Sequence, residues 1–236
     1  MTAPSPSPTP SGPRPAPAAP PVELRMLRVS AYAAEAERAE ELLSAEERER
    51  VSRFIRAADR DRYRTAHVAL RRELAARTGE RPEALEFVRE PCPVCGGPHG
   101  RPALAGEGPH FSLSHAGDVV LLGFAAAPVG VDVEEHPRAE TVDEVATTLH
   151  PSERAELAAL DGVSERAAAF ARCWSRKEAY LKGTGTGLGE DPSVTPVGTA
   201  AEGPASPPGW HLADIAAPEG YAAAYAVRTT PPPKGS

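Results

Sequence analysis

In Val129-Gly130-Val131-Asp132-Val133-Glu134 the apolar and acidic residues alternate, so an extended strand would turn Asp132 and Glu134 to one face. Two neighbouring carboxylates repel unless a cation or a proton neutralises them, and ligands that are all oxygen suit a hard ion such as Mg²⁺. The competing reading is a solvated strand end running into Glu135-His136-Pro137, since exposed acidic pairs are common. Further on, Glu178 and Lys182 stand four residues apart, on one face of a helix, where they could do chemistry or form a surface ion pair. Phe111-Ser112-Leu113-Ser114-His115 adds a hydroxyl beside an imidazole in a turn between strands.

Three other patterns carry less. Cys92-Pro93-Val94-Cys95 followed by His99 has the spacing of part of a zinc site, but a tetrahedral site needs a fourth ligand that the local sequence lacks. Leu113-Ser114-His115-Ala116 is not the Gly-x-Ser-x-Gly elbow of a hydrolase. Gly183, Gly185 and Gly187 follow a helix, whereas a phosphate-binding loop precedes one, so they read as a helix end.

The elements that must position these groups follow from patterning. With 236 residues and 41% apolar composition the chain can bury one large core or two modest ones. Residues 1–21 are almost all Pro, Ala, Ser, Thr and Gly, which predicts a disordered tail. A strand is expected over 23–30. Ser44-Ala45-Glu46-Glu47 has capping-box spacing and opens a helix carrying Val51, Phe54 and Ile55, and a second helix over 59–77 puts Tyr63, Ala66, Leu70 and Leu74 on one face. Residues 91–108 read as a Pro- and Gly-rich loop, 111–113 and 119–126 as strands, 129–134 as another, 151–183 as helix interrupted near Asp161-Gly162, and 221–227 as a strand. This order predicts an α+β protein of two similar halves, 22–127 and 128–230, with a flexible end over 231–236.

The net charge of -7 argues against a nucleic-acid binder that relies on phosphate neutralisation, though a basic patch could hold a small polyphosphate. No apolar run approaches the roughly 20 residues of a membrane span, and no signal-peptide pattern opens the chain, so no membrane association and a cytoplasmic location are expected. Three cysteines fit a reduced compartment rather than a disulfide framework, with Cys173 buried in a helix.

Taken together, residues 111–134, then Trp174-Ser175-Arg176-Lys177-Glu178 and Lys182, resemble in order and spacing the signature of the surfactin-synthetase type of 4′-phosphopantetheinyl transferase. A looser likeness runs from residue 42 to residue 227. The resemblance implies two α+β halves in a pseudo-twofold arrangement, with coenzyme A as substrate and Mg²⁺ between them. The family moves the phosphopantetheine arm of coenzyme A to a serine of an apo acyl or peptidyl carrier protein, leaving adenosine 3′,5′-bisphosphate. Asp132, Glu134 and Glu178 would hold the metal, Glu178 would take the serine proton, and Lys182 would assist the departing phosphate. Ser114, His115, Arg101, Pro102, Arg50 and Arg62 match family positions around the coenzyme A phosphates. Glu47 stands where the family often has a cation, and Glu153 near a further family acid that N-terminal helix chemistry explains equally well. The chain is expected to act as a monomer. A non-catalytic module that binds carrier proteins or coenzyme A is the runner-up, and a zinc-stapled nucleic-acid module on Cys92, Cys95 and His99 a third reading.

Overall fold

The computed structural model describes residues 20–229; nearly all of the tail expected over 1–21, and the end over 231–236, lie outside the described residues. The first half runs β1 (Val22–Arg28), α1 (Val29–Arg38), α2 (Ala45–Arg53), α3 (Ala57–Thr78), a short hairpin of β2 (Phe87–Arg89) and β3 (Pro102–Leu104), then β4 (His110–Ala116) and β5 (Val119–Ala125). The second runs β6 (Val129–Glu135), α4 (Ala139–Val145), α5 (Pro151–Ala158), α6 (Val163–Thr184), β7 (Trp210–Ile215) and β8 (Tyr221–Arg228). The antiparallel sheets are ordered β1-β5-β4 and β6-β8-β7. Each half is thus a strand, three helices ending in one of 22 residues, and a hairpin whose last strand pairs back onto the first. The same α+β topology occurs twice, as expected; the first half adds only the β2–β3 insertion.

Patterning explains the layers. Along β5 every residue is buried: Val120, Leu122 and Phe124 pack with Ala66, Leu70 and Leu74 of α3, while Val119 and Leu121 face Val131, Val133 and Ala223 of the second sheet. The far face of that sheet, through Ala224, Ala226, Trp210 and Leu212, packs on Phe170, Cys173 and Ala179 of α6. The two sheets therefore share an apolar interior, and one long helix covers each outer face.

The predicted helices after Ser44, over 59–77, and across 151–183 with a break before Val163 are present, and Ser44 and Glu47 complete a capping box. Two expectations change. The strand over 23–30 stops at Arg28, because Asp118, far along the chain, accepts from the backbone N–H of Ser30 at 2.6 Å and from its hydroxyl at 2.8 Å. A helix start capped by a residue so distant leaves no local signature. The loop over 91–108 contains β3, paired with β2. Among the described residues, no helix is long and apolar enough to cross a membrane.

Candidate active site at the seam between the halves

Gly130, Asp132 and Glu134 alternate along β6 on the face that α6 covers, opposite Ala226, Ala224 and Ala222 of β8. Small neighbours let the helix come close. A Cβ on Gly130 would overlap the Ala179 carbonyl and the Gly183 amide, so only glycine admits α6 at this depth. That closeness brings Lys182 Nζ to 2.6 Å from Asp132 Oδ1, with Glu178 one turn earlier on the same helix.

The first half supplies the other wall. Ser114 Oγ donates to Asp132 Oδ1 at 2.7 Å and accepts from Lys182 Nζ at 3.1 Å, while Ser112 Oγ accepts from the Val131 amide at 3.0 Å. Serine hydroxyls thus satisfy backbone donors along the outer edge of β6, and the same contacts tie β4 to the carboxylate strand.

Asp132 is 2% exposed, and its Oδ2 is buried without a hydrogen-bond partner. An unpaired carboxylate oxygen in that position costs free energy unless a cation or proton meets it. Burial raises the Asp132 pKa, although Lys182 and Ser114 oppose the shift. Glu134 is pushed up to about 8 by burial and then by the charge of Asp132, with Glu178 adding to it. Burial, followed by the charge of Asp132, also raises Glu178. The three acids are short of positive charge despite Lys182, which is the condition under which a divalent cation is bound. Their ligand oxygens are not drawn into a tight cage; among the described residues, the three ligand atoms that do gather are those of Cys92, Cys95 and His99.

Several expectations sharpen or shift. Lys182 pairs with Asp132 of β6, reaches Ser114 across the seam, and has no ion pair with Glu178, so the surface-pair reading of Glu178 and Lys182 is replaced by a cross-element contact. Arg62 donates from Nε to the Gly117 carbonyl at 2.8 Å, which brings it to the turn after Ser114-His115. His115 keeps an exposed surface, yet crowding around its ring and then the charges of Arg62, His67 and Lys182 lower its pKa. Arg62 and Lys182 thus form a locally positive flank, with the neutral His115 imidazole beside them. Arg50 stands apart, over the Tyr63 ring, which stacks on His67. Arg101 is paired with Glu90 at 2.6 Å and packs beside Gly185 just past α6, while Pro102 pairs with Arg89 in the β2–β3 hairpin; neither is in hydrogen-bond contact with Ser114 or His115.

Two acids prove structural. Glu47 caps α2 and accepts from Arg71 at 2.6 Å and contacts His67 at 2.9 Å, which lowers its pKa to about 2 against the opposing cost of burial. Glu153, fully buried, accepts from the amides of Val197 and Gly198 and pairs with Lys177 at 2.7 Å. Within Trp174-Ser175-Arg176-Lys177-Glu178 the sequence singled out only Glu178. Arg176, fully buried, donates to both Asp214 oxygens and to the carbonyls of Gly198 and Ala200. Together Arg176 and Lys177 lock α6 to the 195–200 segment and to β7, and so fix where Glu178 and Lys182 point. Two cations adjacent to a helix acid in an otherwise apolar run were the available signal. A cavity of about 310 Å³ lined by Arg25, Tyr32, Thr65 and Arg72 shares no residue with this seam.

The geometry is that of a charged cluster at the seam between two α+β halves, and comparisons with known proteins agree with it. Residues 128–226 match the model of the 4'-phosphopantetheinyl transferase superfamily. The chain is 33% identical over 152 residues to a putative 4'-phosphopantetheinyl transferase of Synechocystis sp., covering 62% of this chain and 58% of the relative. It is 35% identical over 186 residues to a phosphopantetheinyl transferase of Thraustochytrium sp., covering 71% and 62%, and 28% identical over 193 residues to the 4'-phosphopantetheinyl transferase HetI of Nostoc sp., covering 78% of each. The matches span about three fifths of the length of the first two relatives.

Proposed function

We propose that this chain is a 4′-phosphopantetheinyl transferase of the surfactin-synthetase type, which moves the phosphopantetheine arm of coenzyme A to a serine of an apo acyl or peptidyl carrier protein and releases adenosine 3′,5′-bisphosphate. The observation that carries the reading is the buried, unpartnered Asp132 Oδ2 beside two further carboxylates, Glu134 and Glu178, whose pKa values are raised. These three residues would hold Mg²⁺, which when bound offsets the charge of the coenzyme A pyrophosphate.

The chain's own groups do the rest. Glu178, half-buried, takes the proton of the carrier serine directly or through a water. Lys182, held at the seam by Asp132 and Ser114, offers positive charge and a proton to the departing phosphate. Arg62 and His115 bring further positive and donor groups to the same flank for the nucleotide phosphates. Ser114 acts by fixing Asp132 and Lys182 relative to each other. Arg50 and Arg101, matched to phosphate-contacting positions by resemblance, would have to leave the Tyr63 face and Glu90 to join in. The protein would work as a cytoplasmic monomer.

The test is to incubate the purified chain with coenzyme A, Mg²⁺ and a panel of apo carriers of fatty-acid, polyketide and peptide-synthetase type, and to follow carrier mass. Gain of the arm is expected on at least one carrier. No gain on any of them would overturn the proposal, and coenzyme A binding without transfer would favour a non-catalytic binding module.

A further inference from the structure

The β2–β3 insertion, the one part of the first half without a counterpart in the second, carries Cys92, Cys95 and His99. Read in sequence, this set lacked a fourth ligand; folded, it brings Cys92 Sγ, Cys95 Sγ and a His99 ring nitrogen within 4.8 Å of one another, with Cys95 Sγ and His99 Nε2 at 3.0 Å. We infer that Cys92, Cys95 and His99 form a binding site for a thiophilic divalent ion of the zinc class, with the fourth position facing solvent.

The backbone is shaped for it. The Gly96 amide donates to the Cys92 carbonyl at 2.8 Å, and the Cys92 and His99 amides donate to the Gly97 carbonyl at 2.8 and 2.9 Å, closing a tight knuckle around the three side chains. Gly100 lies so near the Glu90 carbonyl that a Cβ there would stand 2.5 Å from it, and its amide donates to that carbonyl at 2.9 Å. The amides of Cys95 and Val94 are also directed at the Cys92 sulfur. Two thiolates and a neutral imidazole suit zinc in ligand softness and balance its charge, with the open fourth position taken by water or another donor. Cys92 is buried, whereas Cys95 and His99 are exposed, so an ion has a path from solvent.

The site would act by stiffening the insertion. Its knuckle leads through Gly100 into Arg101, and Val94 lies against Gly189 in the segment that follows Lys182. Metal binding would hold that segment and Arg101 in place beside the seam, without touching the reacting groups. The competing use of Cys92 and Cys95 is a disulfide between them, which forms only when an external oxidant takes two electrons and which holds no metal.

The test uses the full chain, purified under reducing conditions, reconstituted with zinc and then desalted. Metal content by mass spectrometry is expected at about one zinc per chain, and replacement by Co²⁺ should give sulfur-to-cobalt charge-transfer absorption. Cys95→Ser and His99→Ala, at exposed positions, are expected to lose most of the bound zinc and the charge-transfer bands while circular dichroism stays unchanged. Cys173→Ser serves as the control that keeps both. No zinc in the wild-type chain, zinc retained at full stoichiometry by both ligand variants, or a Cys92–Cys95 disulfide persisting under the reducing conditions would each overturn the assignment. None of these readouts depends on transferase activity.

Discussion

Lys182 Nζ donates to Asp132 Oδ1 at 2.6 Å, while Asp132 Oδ2 beside it is buried and unpartnered. One oxygen of the carboxylate is thus committed to the lysine, and the other is the one that would meet the cation of the proposed function. Asp132→Asn keeps the shape and an oxygen for Lys182 but removes the charge. Transfer is expected to fall by on the order of 10²-fold or more with little change in thermal stability, as when a group stabilising transition-state charge is lost. Carrier mass and a melting curve on the same sample check both halves of the statement.

Glu134 ties stability to pH in a direction opposite to most carboxylates. Its pKa rises from 4.5 to about 8 in the folded chain, so across that window the folded state keeps a proton that the unfolded state has lost. Its contribution is therefore fully present below 4.5 and fades as pH rises towards 8. Cation-free protein should melt at lower temperature near the top of that window than near the bottom. Added Mg²⁺ should raise the melting point more at the top, because binding must displace the proton. Glu134→Gln is expected to flatten both trends, and melting points measured with and without Mg²⁺ decide it.

How α6 sits on β6 makes Gly130→Ala a severe change. The added methyl meets the Ala179 carbonyl and the Gly183 amide, backbone atoms that cannot rotate away. A loss of about 3 kcal/mol is expected, at the upper end for overpacking, together with loss of transfer, because displacing α6 separates Lys182 from Asp132. Urea unfolding gives the first quantity and the carrier assay the second.

The sequence carried the acids and the long helices far better than the contacts that aim them. Alternation along 129–134 was enough to put Asp132 and Glu134 on one face, and helical spacing was enough for Tyr63, Ala66, Leu70 and Leu74, because both are short-range consequences of backbone geometry. The partners were not legible. Asp118 capping α1, Asp214 receiving Arg176, and Lys182 reaching Asp132 instead of Glu178 join residues dozens of positions apart, and only the folded chain brings them together. Likewise, Cys92, Cys95 and His99 showed their spacing in sequence but not that the knuckle closes them into one cluster.

Arg176 and Lys182 share α6 but face different partners, and substitution should separate their roles. Arg176 is fully buried whereas Asp214 is about one-third exposed, so Arg176→Ala leaves water to meet the carboxylate but takes the donor from the Gly198 and Ala200 carbonyls, and is expected to cost about 2–3 kcal/mol. Lys182 is about one-third exposed, and Lys182→Ala should lower transfer strongly while changing stability much less. Equal stability losses in the two variants would show that Arg176 is not the anchor of the helix.

Glu47 offers the sharpest contrast between resemblance and structure. A cation is usual at this position in the family that the chain resembles, which would suggest that Glu47→Lys improves phosphate binding. The folded chain argues otherwise: Glu47 caps α2 through Ser44 and holds Arg71 and His67, and its carboxyl is drawn down to about 2. A group with a lowered folded pKa stabilises above its ordinary value of 4.5 and loses that contribution as pH falls towards 2. Glu47→Lys would set a second cation against buried Arg71 and is expected to destabilise the chain by about 3 kcal/mol or more. Glu47→Gln, which keeps the shape and drops the charge, should cost less and should remove part of the acid sensitivity between 4.5 and 2. Urea unfolding of both variants across that range measures the difference. Unchanged stability in the lysine variant would mean that the capping box and the Arg71 pair contribute little to the first half.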